Sequence, residues 1–118
     1  MKHSGSTSEQ SRLYNERIIL QAVREQPGIS RAQIAELAGL SAQTISVITS
    51  YLIEQELLCI TGKVKGKRGQ PSIKLEINAQ GAYGLGINID RDHISAALVD
   101  FNGECLLLRQ CDVHFPTE

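Results

Sequence analysis

Ala42, Gln43, Ser46, Thr49 and Ser50 lie close together in the sequence and are short or amide-bearing, uncharged, and mostly able to donate and accept hydrogen bonds. If Ile45, Ile48 and Leu52 turn inward on a helix, these five residues share its outer side. A helix that merely faces water usually carries Lys and Glu there. Small side chains and an amide instead suit the base edges of a duplex major groove, and Gln43 suits bidentate contact with adenine. Ser41 and Thr44 open the same segment, and Arg31 stands on the segment before it. A second group follows: Lys63, Lys65, Lys67 and Arg68 are interleaved with Gly66 and Gly69 and closed by Gln70 and Pro71. Charge runs of this kind are usually solvated loops. At this distance from a helical pair they fit contact with phosphates and a groove of double-stranded DNA.

Bond-breaking chemistry has much weaker support. His3, His93 and His114 are isolated in sequence and read as surface residues. Cys59, Cys105 and Cys111 are odd in number and lack C-x-x-C spacing, which argues against a disulfide framework or a zinc site. They are expected to be small buried apolar residues in a reducing cytoplasm. No metal and no cofactor is expected.

Three helical patterns position these groups. The first runs from about Glu9 to Glu25, with Tyr14, Ile18, Ile19, Ala22 and Val23 at helical spacing, and stops at Pro27-Gly28. The second opens with Ser30-Arg31-Ala32-Gln33, a capping box, with Ile29 and Ile34 placed as a hydrophobic staple. It closes at Gly39, where glycine accepts the left-handed conformation. The third repeats the design, with Ser41 as cap and Leu40 with Ile45 as staple, and continues to about Glu56. Small Ala35 lets the two helices meet across a tight corner, the layout of a helix-turn-helix. A corner that only builds a core is the alternative, and the polar outer side of the third helix argues against it.

The period then changes to two. Leu58 and Ile60, with Gly62 continuing the alternation, lead into a tip from Gly62 to Pro71, and Ser72–Ile77 returns with Ile73, Leu75 and Ile77 inward. A hairpin directly after such a helix is a wing. Past the turn cluster Asn78–Gly81, three further strands are expected: one through Leu85, Ile87 and Ile89, one over His93–Asp100, and one over Cys105–Val113. Their apolar residues form a face with no helix to cover it, marginal for so small a sheet.

Composition agrees with two unlike segments. The net charge of −1 hides ten Lys/Arg against seven Glu in residues 1–78, and two Arg against six Asp/Glu in 79–118. No apolar run is long enough to span a bilayer, and Met1–Ser11 lacks the apolar stretch of a signal peptide, so no membrane partner is expected. The organisation expected is a flexible tail over 1–8, a DNA-binding domain over 9–78, and a second, incomplete domain over 79–118. The class is α+β.

The helix-turn-helix, the tip Gly66-Lys67-Arg68-Gly69-Gln70-Pro71-Ser72, the strand Tyr83-Gly84-Leu85-Gly86-Ile87-Asn88-Ile89 and the stretch from Ile94 to Glu104 together resemble the ROK family of bacterial sugar-responsive repressors and sugar kinases. The resemblance covers roughly residues 10–113. It implies a winged helix followed by an antiparallel meander that opens an actin-like domain, whose sugar pocket and cysteine-rich zinc motif would lie outside this chain. It also implies a homodimeric repressor that meets a sugar or sugar-phosphate effector only through that missing part. The family's kinases carry D-x-G-G-T at the first turn, where glycines admit the ATP phosphates; here the turn reads Asn88-Ile89-Asp90-Arg91-Asp92. Both glycines are gone and carboxylates face the nucleotide's position, so phosphotransfer is not expected. Arg68-Gly69-Gln70-Pro71 further resembles the hook with which some proteins enter an A·T-rich minor groove, whose negative potential favours a guanidinium.

Overall fold

A computed structural model describes residues 4–65 and 71–114, with side chains from Ser8 onward. Its elements are α1 (Ser4–Glu25), β1 (Ile29–Ser30), α2 (Arg31–Ala38), α3 (Ala42–Glu54), β2 (Leu58–Lys65), β3 (Pro71–Ile77), β4 (Tyr83–Ile89), β5 (His93–Asp100) and β6 (Cys105–Asp112). The strands form two antiparallel sheets, ordered β1-β3-β2 and β4-β5-β6. The chain divides into two compact units between Ile77 and Asn78.

In the first unit one apolar cluster holds everything together. Ile19 and Val23 come from α1, Ile29 from β1, Ile34 from α2, Ile45, Ile48 and Leu52 from α3, Leu58 from β2 and Leu75 from β3. α1 starts at Ser4, ahead of the expected start at Glu9 and inside the stretch read as a tail. No proline interrupts Ser4–Ser8, and adding a residue to an existing helix costs far less than nucleating one. Tyr14, read as core, is 64% exposed, because α1 meets the cluster only through its second half.

β1 has no counterpart in the sequence reading. After Pro27, Gly28 takes a left-handed φ of 86° and donates its N–H to the Leu75 carbonyl at 2.8 Å. That turn delivers Ile29 and Ser30 into pairing with Leu75 and Lys74. Two residues are too few to show a period. Ile60, read as inward, is 51% exposed although it pairs with buried Leu75. β2 is an edge strand: α1 and α2 pack on β3, while α3 packs on β2, where Leu58 is the buried residue.

The corner between α2 and α3 follows its local chemistry. Gly39 sits at φ 67°, and its N–H and that of Leu40 both donate to the Ala35 carbonyl, at 3.0 and 3.2 Å. A methyl group added at Gly39 would meet nothing within 4 Å, so substitution costs backbone strain alone. Gly39→Ala is expected to destabilise the protein by about 1 kcal/mol, read as a lower urea midpoint at unchanged m.

The second unit is the meander β4-β5-β6. At the β5–β6 turn buried Asp100 accepts the Asn102 and Glu104 N–H groups at its Oδ1, each at 2.9 Å, and Gly103 supplies a φ of 91°. Leu85, Ile87 and Ile89 lie opposite Leu98, Ala96 and Ile94, and all three are more than 60% exposed. Cys59, Cys105 and Cys111 are exposed, contrary to the expectation of burial. They sit on β2 and β6, each an edge strand of its sheet.

Candidate nucleic-acid interface

Capping places the first cation. Ser30 accepts the Gln33 N–H at 3.2 Å while Gln33 Oε1 accepts the Ser30 N–H at 3.0 Å, so α2 begins with Arg31 at its first residue. Arg31 then reaches across to α3. Its Nε donates to Thr49 Oγ1 at 2.7 Å and its Nη2 to Ser50 Oγ at 3.0 Å. Partial burial holds the guanidinium below the usual arginine range. Among the described residues no carboxylate forms an ion pair with it. A half-buried cation oriented only by hydroxyls keeps its charge available to an outside anion.

α3 is capped by Ser41, which accepts the Thr44 N–H at 3.1 Å and donates to Thr44 Oγ1 at 2.9 Å. Those two hydroxyls are therefore committed to the helix start. Along α3 the buried residues are Ile45, Ile48, Thr49 and Leu52. At about 3.6 residues per turn the opposite stripe is Gln43, Val47, Ser50 and Glu54, with Ala42 and Ser46 to one side.

Thr49, placed on the outer side, is fully buried. Its Oγ1 donates to the Ile45 carbonyl at 2.7 Å, which satisfies the hydroxyl inside the core and leaves its lone pairs to hold Arg31. The spacing 45, 48, 49, 52 is itself an inward pattern, and only the polarity of threonine disguised it. Val47, which the sequence reading passed over, is 60% exposed on the centre line of the outward stripe. Its position four residues after Gln43 was the available signal.

The wing joins this face through the first residues of β3, at the end of the hairpin away from Leu58 and Ile77. Ser72 Oγ on β3 accepts the Ala32 N–H at 3.3 Å, beside Arg31. Lys63 and Lys65, read as part of the tip, stand exposed on β2 opposite Ile73 and Pro71, because pairing resumes after the irregularity between Ile60 and Gly62. Lys67, Arg68, Gly69 and Gln70 lie outside the described residues. On the far end of α3, Arg12 of α1 stacks over the Tyr51 ring at 4.4 Å, which ties the two helices together.

The turn that matches the kinase phosphate loop is built differently. Asp90 and Asp92 flank His93, with Asp92 Oδ1 at 2.9 Å from Nδ1 and Asp90 Oδ2 at 3.6 Å from Nε2. His93 is thus half-buried between carboxylates rather than an isolated surface residue. Among the described residues no group of three or more His, Cys, Asp or Glu is placed to hold a metal ion.

A three-helix core, a helix pair closed by a left-handed glycine and a hairpin tied to the second helix define a winged helix-turn-helix of the DNA-binding class. Residues 12–58 match the model of the winged helix-turn-helix DNA-binding family. More particularly, the chain is similar to members of the ROK family. The crystal structure of a ROK family transcriptional regulator, a homologue of the E. coli MLC protein, superposes with a TM-score of 0.68 at 27% identity, over 87% of this chain and 26% of that one. The xylose repressors of Bacillus spizizenii and Bacillus subtilis are 29% and 27% identical over 93 residues, 79% of this chain and 24% of each relative. A putative xylose repressor of a Caldicellulosiruptor species is 30% identical over 92 residues, 78% of this chain and 23% of the relative. The chain therefore spans about a quarter of the length of the relatives it matches.

Proposed function

We propose that the chain is the DNA-reading part of a transcriptional repressor of sugar-metabolism genes. The observation that carries this reading is the outward stripe of α3, free of charge until Glu54, beside a cation, Arg31, that forms no ion pair with a carboxylate among the described residues. In this reading the first two turns of α3 enter the major groove. Gln43 pairs with adenine, with Ala42, Ser46 and Ser50 close enough to the base edges to exclude wrong neighbours. Arg31, Lys63 and Lys65 contact phosphates, and the wing residues Lys67, Arg68, Gly69 and Gln70 follow the backbone into the minor groove. A homodimer reads two half-sites, and a sugar or sugar-phosphate effector acts through a ROK domain completed outside this chain. The relatives named as xylose repressors support the sugar-linked role.

A kinase reading would need glycines at the first turn of the meander, and Asp90 and Asp92 hold that turn with His93 between them. Carboxylates at that point repel a nucleotide's phosphates.

Selection of duplexes from a random library by the purified chain tests the assignment. Gln43→Ala is expected to cost roughly 1 to 3 kcal/mol on the enriched duplex and little on scrambled DNA, with an unchanged salt slope. Equal losses on both duplexes would remove Gln43 as a base reader, and a library that returns no enriched duplex would remove the DNA-reading role itself.

A further inference from the structure

Val47 is the exception on its stripe. Gln43 and Ser50 beside it are polar, yet Val47 leaves 60% of its surface open. A single exposed apolar side chain is ordinary on a protein surface. This one, however, is β-branched, which does little for an exposed helix position, and it lies on the side of α3 opposite the buried Ile45, Ile48, Thr49 and Leu52.

Its distance from Gln43 limits what it can meet. Four residues of helix rise about 6 Å, less than two base-pair steps of roughly 3.4 Å each. A group one turn beyond an amide seated on adenine therefore faces a base edge one or two pairs away. The apolar group that a major groove displays at such an edge is the thymine C5 methyl. Resting on the DNA-reading role argued above, we propose that Val47 is a specificity-determining residue that packs on a thymine methyl within two base pairs of the adenine taken by Gln43. Valine suits this task because its χ1 is already restricted, so docking freezes little motion. Buried Ile45 and Ile48 on the inner side hold the backbone at this point, so the methyls are presented at a fixed height.

The experiment uses the full chain and the duplex enriched by selection, with each thymine replaced singly by uracil, which removes only the C5 methyl. Wild type is expected to lose roughly fourfold in affinity at one position, the effect of one buried methyl. Val47→Ala should lose about as much on the thymine duplex and nothing further on the uracil duplex, while its binding to scrambled DNA is unchanged. Helicity and urea midpoint are measured alongside; alanine at an exposed helical position should preserve both. An equal uracil penalty for both proteins, or no thymine whose methyl matters near the adenine, overturns the Val47 assignment and leaves the DNA-reading role standing. Failure of the selection to enrich any duplex overturns both.

Discussion

Arg31→Met is expected to lower affinity for the selected duplex by roughly ten- to a hundredfold and to reduce the salt slope by about one phosphate contact. Methionine keeps the apolar stem and removes the charge. The fold should tolerate it, because Thr49 Oγ1 still donates to the Ile45 carbonyl and so remains satisfied inside the core. Two companions separate the charge from its placement. Arg31→Lys keeps the cation but cannot bridge Thr49 and Ser50 with a planar fork, so it should retain the salt slope while losing part of the affinity. Thr49→Val removes the hydroxyl that orients Nε and should weaken binding with the slope intact. Titrations at several salt concentrations check all three. If Arg31→Met binds with an unaltered slope at equal stability, the guanidinium does not meet a phosphate.

The second large effect falls on the scaffold. Ile45 is fully buried, in the core cluster with residues of all three helices and the wing hairpin. Ile45→Ala is expected to cost roughly 2 to 5 kcal/mol, from lost burial plus the cavity left behind. Small domains have only about 5 kcal/mol to lose, so this one change should bring the first unit near its midpoint at room temperature. Ile45→Val should cost roughly 0.5 to 1.5 kcal/mol. Urea denaturation measures both, and DNA affinity should fall in proportion to the unfolded fraction. A loss below about 1 kcal/mol for the alanine variant would show that the site collapses without a cavity and that Ile45 is not central to the cluster.

Most of the corner that presents α3 is legible in the sequence. Ser30 with Gln33, Gly39 with Ala35, and Ser41 with Thr44 are contacts within five residues of one another. Such contacts depend on residue type and spacing alone, so the sequence states them directly. The meander turns belong to the same group, since Asp100 and Gly103 build their turn from neighbours.

Other features depended on which element lies over which, and period alone does not carry that. The pairing of Ile29 with Leu75 joins residues far apart in the chain, and it is what ties the wing hairpin to the helices. Ile60 and Thr49 depart from their period and polarity for the same reason. Ile60 alternates as a buried residue should, but α1 and α2 pack on β3, and on the edge strand β2, where α3 packs, the buried residue is Leu58. Thr49 is polar enough to belong outside, but its hydroxyl finds the Ile45 carbonyl and its position falls within the arc that the core covers. The site itself divides the same way. Residue types and helical spacing by themselves established that α3 offers amide and hydroxyl groups on a capped helix behind a tight corner. Tertiary packing decided that Thr49 would serve as the anchor for Arg31, and that Val47 would take the centre of the open stripe. The burial of a helix face is set by whatever packs against it, and for α3 that includes residues from α1, α2, β1, β2 and β3 distributed along the whole first unit.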